Sequence, residues 1–136
     1  MDETIVKYFG NDTFAKLLGI ELIDFSPGRA RCSMKITEHH LNGLGTGHGG
    51  AIFSLADFAF AVACNSHGTV AVGIKTDMAF VQAAKPGATL YADAVEESRN
   101  PKIGTYDVHI TDDQGELIAI FHGLAYRKKD SIADHV

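Results

Sequence analysis

The chain has 136 residues, 46% of them hydrophobic and 21% charged, which suits one globular domain with a core of its own. Its net charge of -5 argues against nucleic acid and anionic membrane surfaces as partners. Cys32 and Cys64, the only cysteines, form no metal-type pair and stand in apolar stretches, as buried free thiols do in a reducing compartment.

The opening MDETIVKYFG holds no basic segment followed by an apolar run, so no secretory leader is expected, and residues 1–10 read as a lead-in with room for a helical turn. Asn11 or Asp12 can cap a short helix, Thr13 to Leu18, which Gly19 ends. Ile20 to Phe25 approximates strand alternation, and Ser26-Pro27-Gly28 is a turn. Ala30, Cys32, Met34 and Ile36 then alternate with Arg31, Ser33, Lys35 and Thr37, which predicts an antiparallel strand with one wet face. A loop over 38–48 leads into a helix over about 50–65, stopped by Asn65 or Gly68.

Everything after Gly68 reads as strand. The spans are 70–81, 89–98 (with Leu90, Ala92 and Ala94 inward), 105–111 and 116–127. Turns at Lys85-Pro86-Gly87, Arg99-Asn100-Pro101-Lys102 and Asp112-Asp113-Gln114-Gly115 separate them. The tail, 128–136, is polar and is expected to fray. His39, His40, His67, His109, His122 and His135 show neither metal-ligand spacing nor an attending carboxylate pattern, so no metal site is expected.

The central stretch carries most of the information. In Asn42-Gly43-Leu44-Gly45-Thr46-Gly47-His48-Gly49-Gly50, alternate glycines let backbone approach a ligand closely. The run behind it, AIFSLADFAFAVACN, is apolar or small almost throughout, so something must wrap it completely. It is too short for a membrane span and contains Asp57, which leaves the cytoplasm as the expected location. A lone carboxylate on such a helix is costly unless it is paired, hydrogen-bonded or functional.

Two strands, one long helix and four strands predict an α+β hotdog fold over a single domain, 1–136: a curled antiparallel sheet of about six strands around one central helix. A curled sheet leaves open strand edges, so at least a dimer is expected. Gly49 stands at the helix start, where free N–H groups favour negative charge. Asp57 lies eight residues on, about 12 Å at 1.5 Å per residue. Both cannot reach one reacting carbon within one helix, whereas two antiparallel copies would place one chain's Gly49 near the other's Asp57.

The stretch HLNGLGTGHGGAIFSLADFAFAVACNSHG resembles the PaaI-like hotdog thioesterases, the phenylacetyl-CoA thioesterase group, and the likeness continues through VGIKTDMAFVQAAKPGATLYADA to GTYDVHITDDQGELIAIFHGLAYR. The resemblance implies hydrolysis of acyl-CoA thioesters, phenylacetyl or related aryl or medium-chain, without a cofactor. It gives Asp57 the role of nucleophile or general base and the Gly49 N–H that of oxyanion donor. Asn42, which also suits a plain turn, would position water or the carbonyl, and His48 would support the loop. Relatives form dimers of dimers and serve phenylacetate degradation. Some carry Ser or Thr near position 75 in contact with substrate; here Lys75 stands there, and Thr76 is the alternative. An acidic protein that binds CoA phosphates needs a local basic patch, for which the turn Arg99, Asn100, Lys102, Gly104 is the first candidate and Lys85 the second. Two rivals remain: a hotdog dehydratase or hydratase, which would want a catalytic histidine, and a non-catalytic acyl-CoA-binding protein.

Overall fold

The computed structural model describes residues 2–136. Six strands form one antiparallel sheet: β1 (Glu21–Ser26), β2 (Arg29–Lys35), β3 (Thr69–Phe80), β4 (Thr89–Arg99), β5 (Ile103–Asp112) and β6 (Leu117–Ser131). Their order across the sheet is β1-β2-β4-β5-β6-β3, which leaves β1 and β3 as edges. The expected hotdog architecture is present, with the sheet curled around one long helix, α3 (Gly49–Asn65).

The alternation in β2 and β4 is realised as expected: Ala30, Cys32, Met34, Leu90, Ala92 and Ala94 are all buried against α3. Burial pushes the Cys32 and Cys64 thiols up to about 12, so both stay protonated. Phe60 fixes how deeply the helix sits. A Cβ at Gly123 would lie 2.6 Å from the Phe60 ring, and one at Gly73 2.8 Å, so only glycine at both positions lets the ring rest on the strands. Tyr106 and Phe121 close around the same ring, each with centroids 5.5 Å away. At the helix end, Asn65 donates to Ala71 O at 3.0 Å and accepts from Ala71 N at 2.8 Å, which ties α3 to the start of β3.

The structure goes beyond the sequence reading in three places. Residues 3–10 are a helix, α1 (Glu3–Gly10), because Asp2 caps it and Ile5 and Phe9, four apart, share its buried face. A second helix, α2 (Thr13–Leu18), comes next, capped by Asp12 and ended by Gly19 at φ +76°, as the sequence indicates. The tail is also ordered: β6 runs on to Ser131, and the turn Ile132–His135 buries Ile132 and bonds its N–H to Gly68 O at 2.9 Å. Thirdly, one chain does not wrap α3 on every side. Gly50, Ser54, Asp57 and Ala61, at helical spacing, form a stripe that the sheet leaves uncovered.

Candidate active site

The glycine-rich loop folds on Asn42. Its Oδ1 accepts the Leu44 and Thr46 N–H groups at 2.9 and 3.1 Å, and its Nδ2 donates to Thr46 Oγ1 at 3.0 Å. Asn42 is therefore the internal brace of the turn, and it also borders a cavity shared with Thr46, Gly49, Ile52, Phe80 and Gln82. His48 caps α3: its Nδ1 accepts the Gly50 N–H at 2.8 Å. Its own N–H donates to His40 O at 2.6 Å. The imidazole thus makes one bond to the helix start and the backbone makes one to the loop. Among the described residues the Gly49 N–H has no acceptor, so it remains available at the positive end of the helix.

Asp57 lies on the open stripe and is exposed. Its carboxyl nonetheless sits between cavity walls, and this burial, then the nearby Asp12 charge, holds it above the ordinary aspartate range. Among the described residues none donates a hydrogen bond to the carboxylate, so it is neither a cap nor a brace. It borders a cavity of about 460 Å³ with Tyr8, Phe9, Asp12, Phe60 and Val72. It also borders a second cavity with Phe14, Phe53, Ser54 and Phe58. Neither contains Gly49. Within one chain the donor and the carboxylate open onto separate spaces.

The remaining site candidates scatter. Thr76 pairs with Gly123 and is half-buried on the helix side of the sheet. Lys75 pairs with Leu124 on the outer face, because a bulge between Gly73 and Lys75 reverses the alternation. Lys85 is exposed one residue from Ala84, whose carbonyl accepts the Gly47 N–H at 2.8 Å, so it belongs to the Gly49 end of the helix. Arg99, Asn100, Lys102 and Gly104 belong to the opposite end, where Glu96 reaches His67 beyond the helix C-terminus. Asn100 accepts the Lys102 and Ile103 N–H groups at 2.9 and 2.8 Å, and Gly104 is packed under Tyr106, so both shape the turn; Arg99 and Lys102 are exposed.

Several residues acquire partners that the sequence did not announce. His40 is buried; its Nε2–H donates to Leu18 O at 2.7 Å, and Nδ1 accepts from Thr37 N at 2.9 Å, which anchors the loop to α2. Four histidines do have attending carboxylates: His67 with Glu96, His122 with Asp107, His135 with Asp130 and, on the exposed surface at 3.7 Å, His39 with Glu38. Glu96 also accepts from the buried Tyr106 hydroxyl at 2.6 Å. Burial pushes Glu96 upward, but the hydrogen bonds from Tyr106 and His67 outweigh it and hold the carboxyl below its usual range. Burial first, then this bond, raises the Tyr106 phenol. Glu97, Asp107 and His122 place ligand-type atoms within 4.8 Å of one another around a largely exposed patch, where the His122–Asp107 pairing already accounts for two of them.

Comparison with known proteins agrees with this fold. The family model described as Thioesterase superfamily matches residues 44–119. The Escherichia coli protein named acyl-coenzyme A thioesterase PaaI is 40% identical over 88% of this chain and 85% of its own. Human acyl-coenzyme A thioesterase 13 is 31% identical over 78% of this chain and 79% of its own. The solved structure of E. coli PaaI superposes with a TM-score of 0.92 at 37% identity, covering 95% of this chain and 94% of that one. Among the described residues no helix is long and apolar enough to cross a membrane. The chain belongs to the thioesterase superfamily as a PaaI-like hotdog thioester hydrolase.

Proposed function

We propose that the chain hydrolyses acyl-CoA thioesters, phenylacetyl-CoA and related aryl or medium-chain esters, at sites built between two copies. One observation carries this reading: the free Gly49 N–H and the unbonded Asp57 carboxylate belong to one helix but open onto different cavities. A second copy laid antiparallel along the uncovered stripe would bring one chain's Gly49 opposite the other's Asp57. The β3 edge favours such pairing, since it is twelve residues long and exposes Val72, Ile74 and Phe80. Two such dimers would make the tetramer, and the reading places the protein in the cytoplasm.

In that arrangement the Gly49 N–H donates to the thioester carbonyl oxygen as it gains charge. Asp57 then either attacks the carbonyl carbon, giving a mixed anhydride that water cleaves, or takes a proton from the attacking water; in both routes CoA leaves as the thiol. No metal or cofactor is needed. Because His48 Nδ1 is occupied by Gly50, the arrangement favours hydrolysis over a histidine-driven dehydration. Tyr8, Phe9 and Phe60 give the larger Asp57 cavity an aromatic wall suited to an aryl group. A panel of acyl-CoAs followed by free-thiol release tests the reading: aryl-acetyl esters should release CoA fastest. Dehydration of a hydroxyacyl-CoA without thiol release, or tight binding without turnover, would overturn it.

A further inference from the structure

Asp12 caps α2, its Oδ1 accepting the Ala15 N–H at 2.9 Å. Its position gives it a second consequence. It stands where α1 hands over to α2, held by its own N–H to Phe9 O at 3.2 Å and by Lys16 N to its carbonyl at 3.1 Å. Phe9 in turn packs edge-on against Phe58, the residue after Asp57, with centroids 5.7 Å apart. The result is that Asp12 and Asp57 border the same two cavities, one of about 460 Å³ and one of about 290 Å³.

We propose that Asp12 is a positioning residue for hydrolysis: locked in place by its helix cap, its carboxylate sets the electrostatic environment in which Asp57 works. This rests on the proposed role of Asp57 as base or nucleophile. The cap fixes where the Asp12 carboxylate stands, because one of its oxygens is held by the Ala15 N–H. A fixed negative charge across the cavity makes the neighbouring carboxylate hold a proton more tightly, and so makes it a stronger base once ionised. The raised proton affinity of Asp57, due first to burial and then to Asp12, agrees with this.

Few other groups could exert the same influence. Around the larger cavity, α1 offers Tyr8, α3 itself offers Cys64, and the C-terminal turn offers His135, which is paired to Asp130 at 2.6 Å. The β3 wall, Ala71, Val72 and Gly73, carries no ionisable group, and the second cavity adds none beyond the two aspartates. Among the described residues, Asp12 is therefore the one acid facing Asp57 across these two spaces.

The test uses three variants of the full chain. Asp12→Asn and Asp12→Ser both retain a good helix cap and remove the charge; Asp12→Glu keeps the charge. The readout is the acid limb of kcat/KM against pH, with thermal unfolding as a check of folding. Both neutral variants should move the limb to lower pH and lower the plateau by roughly two- to threefold, as a weaker base requires, and Asp12→Glu should return the limb toward its native position. A limb that stays put in folded Asp12→Asn and Asp12→Ser overturns the proposal, as does an equal displacement in Asp12→Glu, which would mark a purely structural effect. The underlying reading fails separately: it is lost if Asp57→Asn keeps native turnover, whatever Asp12 does.

Discussion

His48 Nδ1 accepts the Gly50 N–H at 2.8 Å, so the imidazole beside the helix start is committed to backbone. A capping role predicts that asparagine can replace it. His48→Ala should lower kcat at least tenfold by loosening the Gly49 donor, and should cost about 1 kcal/mol of stability. His48→Asn should recover most of both. If the two variants lose activity equally and the pH profile loses a limb, His48 is transferring protons instead.

Asp57 should show opposite effects on activity and stability. Asp57→Asn should reduce turnover by roughly a thousandfold or more, as loss of a base or nucleophile does. Since the folded-state proton affinity of Asp57 exceeds the unfolded one, the native chain loses stability as pH rises from about 4 through the folded value. The asparagine variant cannot ionise and escapes that loss. Its Tm should therefore exceed the native one near neutral pH, with the gap closing on acidification. A gap that widens toward acid would reverse the assignment.

A shared site predicts complementation. Gly49→Pro removes the N–H at a position where proline suits a helix start, and Asp57→Ala removes the carboxylate. Each alone should be inactive. Mixed after subunit exchange, half the dimers should be hybrids with one working site in two, giving about a quarter of native activity. Recovery should be absent if each chain carries a whole site.

Glu96 offers a structural contrast to these catalytic variants. Removing it in Glu96→Ala leaves the buried Tyr106 hydroxyl without its acceptor, which should cost about 1–3 kcal/mol. Because hydrogen bonding holds the folded Glu96 below its ordinary range, its contribution is present at neutral pH and fades as pH falls through the folded value. Denaturant titrations at neutral and acid pH should show the native–variant difference shrinking in acid, with kcat of the folded variant little changed.

The two ends of α3 divide the CoA question. Arg99→Ala with Lys102→Ala should raise KM for acyl-CoA several-fold and leave kcat and the acyl-pantetheine reaction unchanged, since screened surface charges act on binding alone. Lys85→Ala tests the Gly49 end in the same way. Should only Lys85→Ala raise KM, the phosphates rest beside the glycine loop and not at the distant turn.

Much of the fold, and the candidate site with it, is legible in the sequence because it depends on local pattern. Asp57 stands out as the lone charge in an apolar helix, and the strand faces come from alternation in Ala30, Cys32, Met34 and Leu90, Ala92, Ala94. The features that escape depend on distant partners. His40 looks like a surface histidine until Leu18, 22 residues earlier, supplies its acceptor. Ile132 looks like a stray apolar residue in a polar tail until Gly68 O receives its N–H. The face of Lys75 is hidden for another reason: the bulge after Gly73 inserts one residue and reverses which side of the sheet the rest of the strand presents. Strand order is hidden as well, since β3 pairs with β6, the last strand.

The seating of Phe60 on Gly73 and Gly123 also bears on how such a protein can change over generations. Any mutation at either glycine adds at least a methyl where a fully buried ring stands 2.6 or 2.8 Å away, so the depth of the helix is closed to gradual adjustment. Tyr8 and Val72 border the cavity beside Asp57 without forming that seat. A lineage that adapts to a new acyl chain has its freedom there, in the walls, while the helix carrying Gly49 and Asp57 keeps its place.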